Sequence, residues 1–286
     1  MYTDTHVHLW KLDRGDYHWL KPENAALYRD FSPDMLRPLL EANRVDEVIL
    51  VQAAATLDET EYMLGLAERY DFIAGVIGGL NPLDDGFQSD YERVKGRGKL
   101  LGFRWNGTFF HAESADAPVK PGLLAAMRLL EADGYVAEIL VQPGDLPHIT
   151  TYVELVPELA IVLNHLGGPG KAAVQEGVME PWMGQIAEIA AFSNVNCKIS
   201  GTITLAEGSH PEKLTKHAAH LFETFGSKRL LFGSDWPVAL LGGGYGEVVR
   251  LFERLLPEGL AEKERDAVRF RNAQRIYKLD CREGAQ

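Results

Sequence analysis

Cysteine is nearly absent: Cys197 and Cys281 are the only two among 286 residues. Two thiols build no disulfide framework, and that scarcity fits a reducing cytoplasm. Basic residues are also in deficit, with 29 Lys and Arg against 41 Asp and Glu, a formal net charge of -12. Nucleic-acid binding needs clustered cations, so such a partner is not expected. Small anions stay open, because one placed Arg holds them. No apolar run is long enough to span a bilayer, so no membrane partner is expected. The opening Met1-Tyr2-Thr3-Asp4 lacks the basic region and apolar stretch of a secretory signal. Linkers, low-complexity segments and evident repeats are missing too. Residues 1–286 therefore read as one barrel-sized, cytoplasmic domain, either a monomer or a small homo-oligomer.

What the chain does have is rhythm. Eight short apolar runs recur: Thr3–Leu9, Glu47–Gln52, Phe72–Leu80, Leu100–Trp105, Val136–Gln142, Ala160–His165, Val195–Ser200 and Arg229–Asp235. Most are rich in Val, Ile, Leu or Phe, as strands buried on both faces require. Helical patterns lie between them. Ser32-Pro33 opens one, Pro121 opens Leu123–Ala132 with Gly134 closing it, and His210-Pro211 opens another that ends near Gly226. A last helix is expected over Ala261–Leu279. Eight alternations of strand and helix predict the α/β class and a (β/α)8 TIM barrel. The longer connections, such as Trp10–Phe31, Asn106–Lys120 and Trp236–Gly246, follow strands and not helices. That is the end of such a barrel where active sites are built.

Polar residues gather at those strand ends. His6 and His8 sit one residue apart in a strand, so both side chains share a face with Asp4. Gln52 ends the second run, Arg104 lies in the fourth, Gln142 ends the fifth, His165 the sixth and Asp235 the eighth. Buried polar groups are costly unless paired or solvated, so a ring of them at one mouth predicts a site. Bland readings stand beside this one. Asp235 suits an Asx-type turn at Trp236-Pro237. Arg104 suits an ion pair in the barrel core, and Gln52 and Gln142 suit structural hydrogen bonds. Trp10 and Trp236 follow strand ends, where a flat ring suits the C–H side of a sugar, although tryptophans more often pack. His217 and His220 share a face three residues apart, as a surface helix would place them. Cys197 reads as a small buried apolar residue, with Lys198 pointing the other way.

Four segments carry a resemblance: Asp4-Thr5-His6-Val7-His8-Leu9-Trp10, Tyr17-His18-Trp19-Leu20, Asn164-His165-Leu166-Gly167-Gly168 and Gly233-Ser234-Asp235-Trp236-Pro237. The chain resembles the amidohydrolase superfamily, in its branch of sugar-lactone hydrolases acting on L-fucono- and L-rhamnonolactones. The resemblance implies a distorted (β/α)8 barrel that hydrolyses a ring ester of a small-molecule sugar lactone. His6, His8, His165 and Asp235 match the family's active-site positions. Metal-dependent relatives usually end the fifth strand in His and often end the fourth in a carbamylated Lys or a Glu; here stand Gln142 and Arg104. Three His and one Asp still suffice to hold one zinc ion tetrahedrally. The resemblance thus allows zinc at His6, His8, His165 and Asp235 without requiring it. Asp235 is expected to be the general base, and Arg104, Gln52, Gln142, Trp10 and Trp236 to contact substrate. Two other functions compete: a metal-dependent nonoxidative decarboxylase of the same superfamily, and a non-catalytic barrel that binds a sugar acid.

Overall fold

In the computed structural model, which describes residues 1–114 and 116–279, eight strands form one sheet. They are β1 (Thr3–Val7), β2 (Glu47–Val51), β3 (Ile73–Gly78), β4 (Leu100–Asn106), β5 (Val136–Leu140), β6 (Ile161–Leu163), β7 (Val195–Ile199) and β8 (Leu230–Phe232). Each pairs in parallel with the next, in chain order. The ring closes where β8 returns to β1. There the ladder shrinks to a parallel bridge between Val7 and Trp236. Two backbone bonds support it, His8 N–H to Trp236 O and Asp235 N–H to His6 O, both 2.8 Å. The expected (β/α)8 TIM barrel is the observed fold.

The outer ring contains α1 (Pro33–Asn43), α2 (Leu57–Ala67), α3 (Phe87–Val94), α4 (Pro121–Asp133), α5 (Leu146–Val153), α6 (Lys171–Glu176), α7 (Trp182–Ala190), α8 (Thr202–Leu205), α9 (Pro211–Phe225) and α10 (Tyr245–Leu255). Prolines open α1, α4 and α9, where a missing N–H costs nothing and the fixed φ suits the first turn. Gly134 ends α4 at φ 72°, a left-handed conformation that glycine reaches without a Cβ clash. Ser32 precedes α1 in extended conformation, but its side chain makes no capping bond.

The single final helix expected over Ala261–Leu279 is divided. It consists of α11 (Glu262–Asp266), a π turn (Ala267–Arg271) and α12 (Asn272–Tyr277). The wider turn re-aims the chain, and α12 plugs the barrel with Ala273, Ile276 and Tyr277 against Ile49, Val51, Ile77, Leu101, Val136, Val162 and Leu231. A second and larger apolar cluster lies between sheet and helices. The expected surface placement of His217 is also corrected. His217 is buried, with its ring 5.1 Å from that of Trp182, while His220 donates from Nε2 to Met183 O at 2.8 Å. Three-residue spacing defines a shared face but not which way it looks, and here that face packs on α7. Cys197 is buried as expected, and Cys281 lies outside the described residues. Among the described residues, no helix is long and apolar enough to cross a membrane.

Candidate active site

The inward face of β1 presents Asp4 and His6, and His8 follows just past its end. His8 Nδ1 lies 2.7 Å from Val51 O. A carbonyl only accepts, so Nδ1 carries the proton and Nε2 is left as a lone pair. His6 Nε2 faces Arg104 Nη1 at 3.5 Å, which makes it the accepting nitrogen of that ring. Past β8 the chain passes very close to β1: a Cβ on Gly233 would lie 2.7 Å from His6 Cβ, so only glycine fits there. Asp235 follows with φ 61°, a strained left-handed residue that aims its carboxylate inward. Its Oδ1 stands 3.6 Å from His6 Nε2 and 3.4 Å from His8 Nε2.

His165 comes from the end of β6, also with positive φ (51°). Its ring centroid is 4.7 Å from that of His6, and its Nδ1 lies 3.0 Å from Ser200 Oγ. Gly201 makes room for it, since a Cβ there would come within 2.8 Å of His165 Nδ1. Asp4 is buried beneath the pair formed by β1 and β8. It accepts from His6 N–H at 3.1 Å, Ser234 N–H at 2.8 Å and the Tyr245 hydroxyl at 2.7 Å. One carboxylate thereby fixes the backbones on both sides of the seam.

Burial sets the charge states. It lowers His8 to about 3, with Arg104 adding to the shift. It lowers His165 to about 4, partly offset by the Asp235 carboxylate. His6 falls well below 6.5 through burial and the nearby Lys198 ammonium. All three imidazoles are therefore neutral at physiological pH. Burial raises Asp235, against the pull of His165, Arg104 and Lys198, which makes its carboxylate a stronger base.

Arg104 is buried beside this group. It donates from Nη2 to Gln52 O, and Gln52 Nε2 returns a bond to Arg104 O at 3.4 Å. Its Nε–H has no partner among the described residues. Gln142 is exposed on the rim; it lines a cavity of about 200 Å³ together with His165, Lys171, Gly201 and Asp235. The structure thus brings His6, His8, His165, Asp235, Arg104 and Gln52 to one region, with Gln142 at its edge. Trp10 and Trp236 require correction as sugar platforms. Both are buried, Trp10 donating to Arg29 O at 2.8 Å and Trp236 packing edge-on against Phe31 at 5.2 Å. The returning first loop covers their faces.

Three buried polar residues near the site escaped the reading of the sequence: Glu138, Lys198 and Ser200. Their signal was parity. Asn196, Lys198 and Ser200 alternate on the inward side of β7, and Glu138 is the only acid in β5.

His6, His8 and Asp235 each offer one ligand atom, all within 4.8 Å of one another. Zinc bonds of about 2.1 Å in a tetrahedron place ligand atoms about 3.4 Å apart. The 3.4 and 3.6 Å separations from Asp235 match that edge, and both imidazoles turn accepting nitrogens toward it. The donor set fits a zinc-sized ion. His165 is not among the three residues whose ligand atoms lie that close together; its Nδ1 faces Ser200 Oγ, which leaves Nε2 as its free nitrogen.

Comparison with known proteins agrees with this geometry. A family model for amidohydrolases matches residues 3–279. The L-fucono-1,5-lactonase of Burkholderia ambifaria is 31% identical over 288 residues, covering 99% of this chain and 97% of that protein. A Burkholderia multivorans amidohydrolase crystallised with bound zinc superposes with TM-score 0.86 at 33% identity, covering 98% of this chain and 99% of the other. The 2,6-dihydroxybenzoate decarboxylase of Rhizobium, at TM-score 0.64 and 16% identity over 98% of this chain and 99% of its own, shares the fold alone. By the match across nearly its whole length, the chain belongs to the amidohydrolase family.

Proposed function

We propose that this protein hydrolyses a sugar-acid lactone of the L-fucono-1,5-lactone type to the open aldonic acid, in the cytoplasm and as one domain. The observation that carries the reading is the convergence of three acceptors, His6 Nε2, His8 Nε2 and Asp235 Oδ1, on one point beside a buried Arg104 with a spare N–H. Facing lone pairs repel unless a donor or cation lies between them, so the arrangement calls for a water, a proton or a metal ion.

In the proposed reaction Asp235 takes a proton from water as the oxygen adds to the lactone carbonyl. The carbonyl oxygen gains negative charge, and the Arg104 guanidinium supplies donors to it. The tetrahedral centre then expels the ring oxygen, breaking the C–O bond. Asp235 returns its proton to that alkoxide. General acid–base help of this kind is worth about 10²–10⁴ in rate. His8, neutral and accepting through Nε2, orients the attacking water, while His6 Nε2 faces the Arg104 guanidinium. Gln52 and Gln142 offer both donors and acceptors to sugar hydroxyls. If zinc is bound, His6, His8 and Asp235 would hold it, and it would acidify water to a pKa of about 7.

A lactonase is favoured over the decarboxylase by the lactonase relatives at 31% and 32% identity. A panel of aldonolactones in weakly buffered indicator tests the proposal through proton release. Opening faster than the spontaneous rate is expected. Rates at the spontaneous level across the panel would leave a sugar-acid-binding barrel as the better reading.

A further inference from the structure

Below the catalytic residues lies a buried ion pair that the mechanism does not use. Lys198 Nζ sits 2.6 and 2.7 Å from the two carboxylate oxygens of Glu138, and both residues are fully buried. A charge pair without water is costly to desolvate, and an apolar pair of equal volume commonly serves stability as well or better. Its partners suggest what it does instead. Lys198 Nζ also donates to Thr5 O at 2.5 Å, and Thr5 is the residue before His6. Glu138 Oε2 accepts from Asn164 Nδ2 at 2.9 Å, and Asn164 is the residue before His165. Two residues past Lys198, Ser200 Oγ contacts both the ring and the backbone N–H of His165. Thr5 Oγ1 reaches β8 through Phe232 O at 2.7 Å. One ion pair thus ties together β1, β5, β6 and β7, and through Thr5 it reaches β8.

The pair has a cap from the far end of the barrel. Tyr277 on α12 donates its hydroxyl to Glu138 Oε1 at 2.6 Å. The same residue packs in the apolar plug inside the barrel. A carboxylate with three fixed donors has little freedom to turn, and Lys198 is held by it in turn.

We propose that Lys198 and Glu138, capped by Tyr277, are positioning residues that fix the separation of His6 and His165 from beneath the active site. The proposal rests on the hydrolytic reading for its effect on turnover, but its structural content does not. Removing Glu138 or Lys198 alone leaves a buried charge unpaired and endangers folding. Tyr277→Phe removes one donor and leaves the packing intact. Tyr91→Phe is the control, because Tyr91 donates to Asp133 at 2.5 Å, on the outer ring of helices and away from the site.

Two readouts are needed, steady-state kinetics on an aldonolactone and the ¹H–¹⁵N ring signals of the histidines. Y277F is expected to lower kcat by roughly tenfold, with KM within about twofold of wild type, as for the loss of an outer hydrogen bond to an active-site ligand. The ring signals of His6 and His165 are expected to move. In Y91F neither readout should change. Ring signals of Y277F that superpose on wild type overturn the proposal, and so does a shift accompanied by undiminished kcat. If the wild-type protein opens no lactone, the proposed function falls, and the ring signals alone decide whether the ion pair positions the histidines.

Discussion

His8 Nε2 presents a lone pair to Asp235 Oδ1 across 3.4 Å, with its tautomer fixed from behind by Val51 O. The carboxylate pays for that position in stability. Burial raises the Asp235 pKa above the 3.8 of an ordinary aspartate, so the folded state resists its ionisation. The stability this group contributes is full below pH 3.8 and is lost as pH rises through its folded value. Asp235→Asn should therefore melt at or above the wild-type temperature at pH 7, with the difference vanishing below pH 3.8. Its turnover should fall by about 10²–10⁴, the worth of a general base. Melting curves at two pH values, read beside kcat, check both halves. Near-wild-type turnover would remove Asp235 from the role of base.

Glu59 gives a second pH signature, away from the histidines. It is buried at the start of α2, accepts from the Tyr17 hydroxyl at 2.6 Å and from Ala53 N–H at 3.0 Å, and lies 3.6 Å from Arg14. Burial outweighs these partners and raises its pKa from 4.5 to about 7. An acid whose folded pKa is raised contributes full stability below its unfolded pKa and loses it as pH climbs through the folded one. Glu59→Gln should consequently become more stable relative to wild type between pH 4.5 and about 7. Denaturant midpoints at pH 4 and pH 8 measure that change. A constant difference between the two would show that folding leaves the Glu59 pKa at its ordinary 4.5.

The barrel was legible because strand and helix periods differ, and because prolines and Gly134 mark helix ends by fixed backbone chemistry. Strand alternation put His6 and His8 on one face, and His165 and Asp235 at other strand ends were needed to read that face as a site. The ion pair was not. Glu138 and Lys198 are sixty positions apart, and no local pattern says that two inward residues of β5 and β7 meet. Trp10 and Trp236 were misread for a related reason. Position after a strand places a ring near the mouth, but whether it meets solvent depends on the loop around Phe31, which pairs back onto Trp10. Alternation gives the face of a residue and leaves unstated what covers that face.

Arg104 is expected to set how far the proposed site depends on a metal. Its Nη1 lies 3.5 Å from His6 Nε2, the atom that zinc would use. A guanidinium keeps its charge in proteins, so it opposes a divalent ion there, and at these separations the repulsion is not screened by bulk water. Wild-type protein stripped with a chelator is accordingly expected to keep substantial lactone-opening activity, with metal content followed by elemental analysis. Arg104→Met removes the opposing charge while keeping much of the apolar stem. This variant should bind zinc at least roughly tenfold more tightly, read by competition with a chromophoric chelator. It should also lose kcat/KM if Arg104 is the proposed donor to the developing oxyanion. Complete loss of wild-type activity on chelation, restored by zinc, would show that the water is activated by metal and that Arg104 only shapes the pocket. Tighter zinc binding in R104M together with metal-independent wild-type turnover would instead give the guanidinium the electrophilic role that a bound metal ion would otherwise fill.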